Sequence, residues 1–183
     1  SHNLLTDEGA IAIAKGKWSS ALDRIFMGNN LFGEEAVKAL GASCAQQEGT
    51  MWKVYYFTVD SFEFKLVDLR NAETIVRIGG AIPKLDLAGV DDQGKEREKM
   101  SNNDVVFLCE FLSMPERLLK LDLLLLHSND IGAAGCAALA NCIRSFTSDS
   151  MHVLGQLNLT ANPLGDMGVK LLMAPIETHP QQV

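Results

Sequence analysis

LDLLLLHSNDIG, residues 121–132, is the most apolar stretch of the chain, and its reading decides the fold. A strand that buries one face alternates apolar with polar residues. Here Leu123, Leu124, Leu125 and Leu126 follow one another without a break. Which of them enter a core depends on what anchors the stretch. Taking Asn129 as the anchor, Leu126 lies three residues before it, Leu124 five and Leu121 eight. Ile131, Gly132, Gly135 and Leu139 follow at plus two, three, six and ten.

The same offsets recur. Asn162 is preceded by Leu154, Leu157 and Leu159 and followed by Leu164, Gly165, Gly168 and Leu172. Around Asn30 they give Leu22, Ile25 and Met27, then Phe32, Gly33, Ala36 and Leu40. Asn3 has only the downstream half, with Leu5, Thr6, Gly9 and Ile13. Asn3 to Asn30 is 27 residues and Asn129 to Asn162 is 33. The common pattern is LxxLxLxxNxΦGxxGxxxL, where Φ is apolar. Two degenerate copies without the asparagine fit between: Val54, Phe57 and Val59, with a helix expected near 64–78, and Ile82, Leu85 and Leu87.

The segments LNLTANPLGDMGVKLL (157–172), LHSNDIGAAGCAAL (126–139) and MGNNLFGEEAVKAL (27–40) resemble the leucine-rich repeat family, most closely its ribonuclease-inhibitor-like subclass. The resemblance covers most of the chain, with a poor fit at 45–81 and 91–117. It implies an α/β fold: a right-handed solenoid with a parallel concave sheet and outer helices. About five to six repeats fit the chain, two of them degenerate. It also implies asparagines stacked as a ladder.

The physics of the template agrees. LxL alternation puts two leucines on one side of a short strand. An asparagine amide at the following turn can satisfy backbone groups that no strand ladder reaches. Glycine at plus three suits a tight turn. Small residues further on let the helix approach the strand. The helix then buries positions plus six, seven and ten, which near the end of the chain are Gly168, Val169 and Leu172. No single unit can bury its face alone, so units must stack.

Residues at minus six, four and two point the other way, onto the concave face. The candidate partner-binding residues there are Arg24 and Phe26; Tyr56, Thr58 and Asp60; Lys84 and Asp86; Leu123, Leu125 and His127; Gln156 and Asn158. In this register Leu124 and Leu126 are core, while Leu123 and Leu125 form an apolar patch with polar neighbours, as partner sites often do. A rival register reads LLKLDL (118–123) as the template, with Leu118, Leu121 and Leu123 inward. An odd slip of that kind exchanges the two faces. GVDDQGKEREKMSNND (89–104) brings a charged insertion at 91–104, read as a solvated loop or exposed helix face.

The sequence carries no recognisable catalytic motif. The chain has no GxxxxGK[ST] phosphate loop, HExxH or GxSxG. Its four histidines are scattered. Cys136, near His127 and Asp130, belongs on the core side of its helix. The chain is therefore not expected to be an enzyme, and no cofactor or metal is expected. A net charge of −7 argues against a nucleic-acid partner and against anionic membranes. With 47% apolar and 21% charged residues the composition is that of an ordinary globular domain. Cys44, Cys109, Cys136 and Cys142 have no metal spacing and read as buried reduced thiols of a cytoplasmic protein.

The expectation is a single array over 1–183, a piece of a longer protein. It would serve as a protein–protein interaction module gripping an unknown protein partner on its concave face. By fold analogy alone the resemblance also implies an enzyme regulator such as a GTPase activator. A structural spacer is the third role, and uncapped repeats would permit end-to-end self-association.

Overall fold

The computed structural model describes residues 5–16, 24–28, 30, 32–46, 56–58, 62–65, 84–113, 120–145 and 153–178. Helices and strands alternate over most of this length. In chain order they are α1 (Asp7–Lys15), β1 (Arg24–Phe26), α2 (Glu34–Gln46), β2 (Tyr56–Thr58), β3 (Glu63–Lys65), β4 (Lys84–Asp86), α3 (Asn102–Leu112), β5 (Lys120–Leu125), α4 (Ala133–Ser145), β6 (Val153–Asn158) and α5 (Gly165–Thr178). The strands form two three-stranded sheets, β1-β2-β3 and β4-β5-β6. The second is wholly parallel. The helices pack side by side in the order α1, α2, α3, α4, α5.

The register of the second sheet answers the question of the four leucines. Leu85 pairs with Leu124, and Leu124 with Leu157. Leu124 is 2% exposed and Leu126 0%, whereas Leu123 and Leu125 are only half-buried. The asparagine-anchored register holds, and the rival LLKLDL register is excluded.

Each asparagine is bonded alike. Asn129 Nδ2 donates to the carbonyl of Leu126, three residues before it, at 3.0 Å. It donates also to Leu87 of the preceding turn of chain, at 2.9 Å. Asn162 does the same to Leu159 at 3.0 Å and Leu126 at 2.8 Å. Asn30 Nδ2 donates to Met27 at 2.7 Å. The Oδ1 atoms accept backbone N–H groups from the preceding turn: Leu5 to Asn30, Met100 to Asn129, Ile131 to Asn162. Asn30 and Asn129 are buried, and burial without these partners would cost about 1–3 kcal/mol per polar group.

A second cross-link lies at the helix starts. Asp7 Oδ1 accepts the Gly33 N–H at 2.8 Å, just ahead of α2. Asn102 Oδ1 accepts Gly132 and Gly135 at 2.8 and 2.9 Å, satisfying the start of α4. The first residue of one helix thus caps the next helix. α3 caps itself with Ser101 and Asp104 as a capping box. It is the most deeply set helix, with Val105, Phe107, Leu108 and Phe111 buried between α2 and α4.

Four expectations change. The helix expected near 64–78 does not begin there. Glu63–Lys65 is a strand antiparallel to β2, with Phe57 opposite Phe64. The alternation Phe62, Glu63, Phe64, Lys65 has the period of a strand, and 66–78 lie outside the described residues. α2 packs directly on α3, so close that a side chain on Gly41 would meet the Phe107 carbonyl at 2.8 Å.

The charged segment divides: Asp92–Lys99 are exposed, but Met100 is buried and Asn102–Asp104 open α3. The glycines at plus six are pressed by the neighbouring helix as well as by the plus-two residue of their own turn, Ile131 lying 2.8 Å from a Cβ on Gly135 and Leu164 3.4 Å from one on Gly168. A Cβ on Gly135 would meet Asn102 Oδ1 at 2.8 Å, and one on Gly168 the Cys136 Sγ at 3.0 Å. Last, Val169 is 49% exposed although Gly168 and Leu172 are buried, because no described residue covers that side of α5.

Candidate functional site: the open face of the second sheet

The parallel pairing sets residues of equal offset side by side. Along one row run Lys84, Leu123 and Gln156; along the next run Asp86, Leu125 and Asn158. His127 continues the Leu123–Leu125 column beyond the end of β5. The face is therefore an apolar column between two polar ones. Its hydrogen-bonding capacity is partly used. Asp86 Oδ1 accepts the Ala88 N–H at 3.2 Å. Asn158 Oδ1 accepts Thr160 N–H at 3.0 Å and Thr160 Oγ1–H at 2.7 Å. His127 Nδ1 lies 3.4 Å from Ser128 Oγ.

One charged contact comes from the inserted loop. Its base closes through an antiparallel bridge between Val90 and Glu96, and Arg97 N–H donates to Gly89 O at 2.8 Å. Asp91 Oδ1 accepts Gln93 N–H and Lys95 N–H, which shapes the tip. The loop returns Arg97 to the sheet, where its guanidinium lies 3.4 Å from Asp86 Oδ1. Lys84 Nζ lies 3.5 Å from the other oxygen of the same carboxylate. Partly exposed pairs of this kind contribute up to about 1 kcal/mol each, so they orient the rim more than they hold it.

Of the candidate residues, Lys84, Asp86, Leu123, Leu125, His127, Gln156 and Asn158 come together on this face. Phe26 and Thr58 pair in the first sheet, where Phe26 is 60% exposed, and Arg24 stands opposite Tyr56 in the same register. Asp60 lies outside the described residues. The two sheets share no hydrogen-bonded strand pair among the described residues. Arg97 is the residue that sequence reasoning missed. Its only signal was a basic residue in the charged insertion.

No group of three or more metal-ligating side chains occurs among the described residues, and no described helix is long and apolar enough to cross a membrane. Neither a scan against protein-family models nor a search of curated proteins finds a match to this chain.

Proposed function

We propose that the chain is a stretch of leucine-rich repeat solenoid of the ribonuclease-inhibitor-like kind, and that it binds a protein partner on the open face of β4-β5-β6. Three features support the solenoid reading: strands in one parallel register, asparagines that each bond back to the previous turn of chain, and helices layered in sequence order. The partner reading rests on one observation. Leu123 and Leu125 stand half-buried on the face opposite Leu124 and Leu126, flanked on both sides by polar residues. Completing the burial of each leucine would contribute about 1 kcal/mol, and the flanking Lys84, Asp86, Gln156 and Asn158 would set orientation.

Affinity capture with quantitative mass spectrometry tests it. Leu123→Asp with Leu125→Asp is compared with wild type and with Ala134→Asp, an exposed control on α4. Proteins held by wild type and by the control should fall on the order of tenfold or more with the double variant. A double variant that keeps the wild-type circular dichroism and holds the same proteins at the same level overturns the reading.

A further inference from the structure

A cavity of about 200 Å³ opens between α2, α3 and α4. Lys38, Glu110, Ser113 and two thiols, Cys109 and Cys142, line it. Cys109 belongs to α3 and Cys142 to α4, helices that pack directly on one another. The Cys109 S–H donates a hydrogen bond to the Cys142 sulfur, and Ser113 bonds to that sulfur as well. The two thiols thus share the wall of one space several water molecules in size.

The chemistry of the two thiols is divided. The hydrogen bond from Cys109, helped by Ser113, holds the Cys142 thiol below its ordinary range, against the opposing effects of burial and of the Glu110 carboxylate. The same bond, together with burial, pushes Cys109 well up. Burial also raises Glu110 itself, which weakens its opposition to a thiolate. Lys38 adds positive charge on the α2 side of the cavity, though it is shared with Glu34 at 2.8 Å and Glu35 at 3.6 Å. Cys136 differs: it is fully buried against α5, and burial alone raises its thiol.

We propose that Cys109 and Cys142 form a redox-active dithiol, oxidised by a small peroxide to a disulfide that ties α3 to α4. The sulfur of Cys142 attacks one peroxide oxygen. The O–O bond breaks, one water leaves with the Cys142 proton, and Cys142 becomes a sulfenic acid. The sulfur of Cys109 then attacks the Cys142 sulfur. The S–O bond breaks, and the hydroxyl leaves as a second water with the Cys109 proton. The sulfurs together lose two electrons, and the peroxide gains them. A thiol reductant reverses the reaction by exchange. The cavity is large enough for hydrogen peroxide, and a disulfide needs a sulfur separation of about 2 Å, which two thiols lining one cavity on packed helices can close.

The test uses the folded chain and its Cys136→Ser variant, so that Cys142 is the only cysteine on its tryptic peptide. Both are treated with hydrogen peroxide, blocked with N-ethylmaleimide and digested without reductant. The expected product is one linked peptide pair joining Cys109 to Cys142, with the loss of two hydrogens, restored by dithiothreitol. Its formation should be about tenfold faster in the folded chain than in urea, because unfolding removes the proximity. In the Cys109→Ser variant dimedone should trap a sulfenic acid at Cys142. In Cys142→Ser it should trap none at Cys109. Three results overturn the proposal: no linkage under conditions that oxidise free glutathione, a linkage to Cys44 or Cys136 in its place, or linkage no faster in the folded chain than in urea.

Discussion

Leu126 and Leu159 occupy the same place in two successive turns of chain, each three residues before an asparagine whose amide bonds to its carbonyl. Leu126 is 0% exposed, and Leu159 is only half-buried. The difference repeats at the strand and turn positions of the template, whereas plus six and plus ten are buried in both turns. Leu124 is buried and Leu157 half-buried; Asn129 is buried and Asn162 half-buried; Ile131 is buried and Leu164 half-buried. At plus seven, Cys136 is sealed while Val169 is open. Backbone register is the same in both, since Leu124 and Leu157 pair directly. What differs is the neighbour that follows. The Asn129 turn has the Asn162 turn laid over it, and among the described residues nothing lies over the Asn162 turn. The strand and turn positions of a unit acquire their burial from its successor, as expected where no unit can bury its own face, while Gly168 and Leu172 are buried without one.

Truncating the paired leucines should separate the two turns most widely. Leu126→Ala should cost about 3–4 kcal/mol in urea unfolding, and Leu159→Ala about 1–2 kcal/mol, since half of its side chain has no packing to lose. Equal losses would break the comparison and mean that the last turn is covered in solution. A dependence of the Leu159→Ala loss on protein concentration would identify the cover as a second copy.

The asparagines come next. Asn129→Ala leaves the Met100 N–H and the Leu126 and Leu87 carbonyls without the amide, in a buried place. The expected loss is about 3 kcal/mol, against about 1–2 kcal/mol for Asn162→Ala, where solvent reaches part of the site. Hydrogen exchange sharpens this: the Met100 amide should lose protection in the first variant and not in the second.

Smaller effects fall at the open end itself. Ala161 takes a left-handed conformation with φ 57°, a cost of about 1 kcal/mol for a residue with a side chain. Ala161→Gly should therefore raise stability by about 0.5 kcal/mol after the larger unfolded-state entropy of glycine is counted. Val169→Thr should change it by less than about 0.5 kcal/mol, as for other surface positions. A loss several times larger would show Val169 to be buried in solution.

The strands and their inward leucines were legible because one residue type, asparagine, returns at a fixed distance from them. The rows of the open face were legible for the same reason: once the anchor is fixed, alternation assigns every side chain. Other features hang on partners far along the chain. That Glu63–Lys65 turns back on β2, and that α2 lies against α3, depends on contacts which no local pattern encodes. The caps given by Asp7 to Gly33 and by Asn102 to Gly132 cross whole turns of chain, and either residue alone reads as an ordinary helix-start residue. Arg97 was hidden by its setting, since a basic residue in a charged run is usually solvated.

The inserted loop has a consequence for how such a chain tolerates change. Between strand and helix the template allows few residues, and here the chain spends several more on the excursion from Val90 to Arg97. Yet Asn129 still finds a backbone N–H where Asn162 finds that of Ile131; Met100 supplies it. The asparagine responds to where a peptide group stands, not to how many residues were needed to bring it there. The crossing on the far side of each asparagine contact is thus a place where length can be gained or lost without disturbing the spine, and where new surface can be built beside the open face.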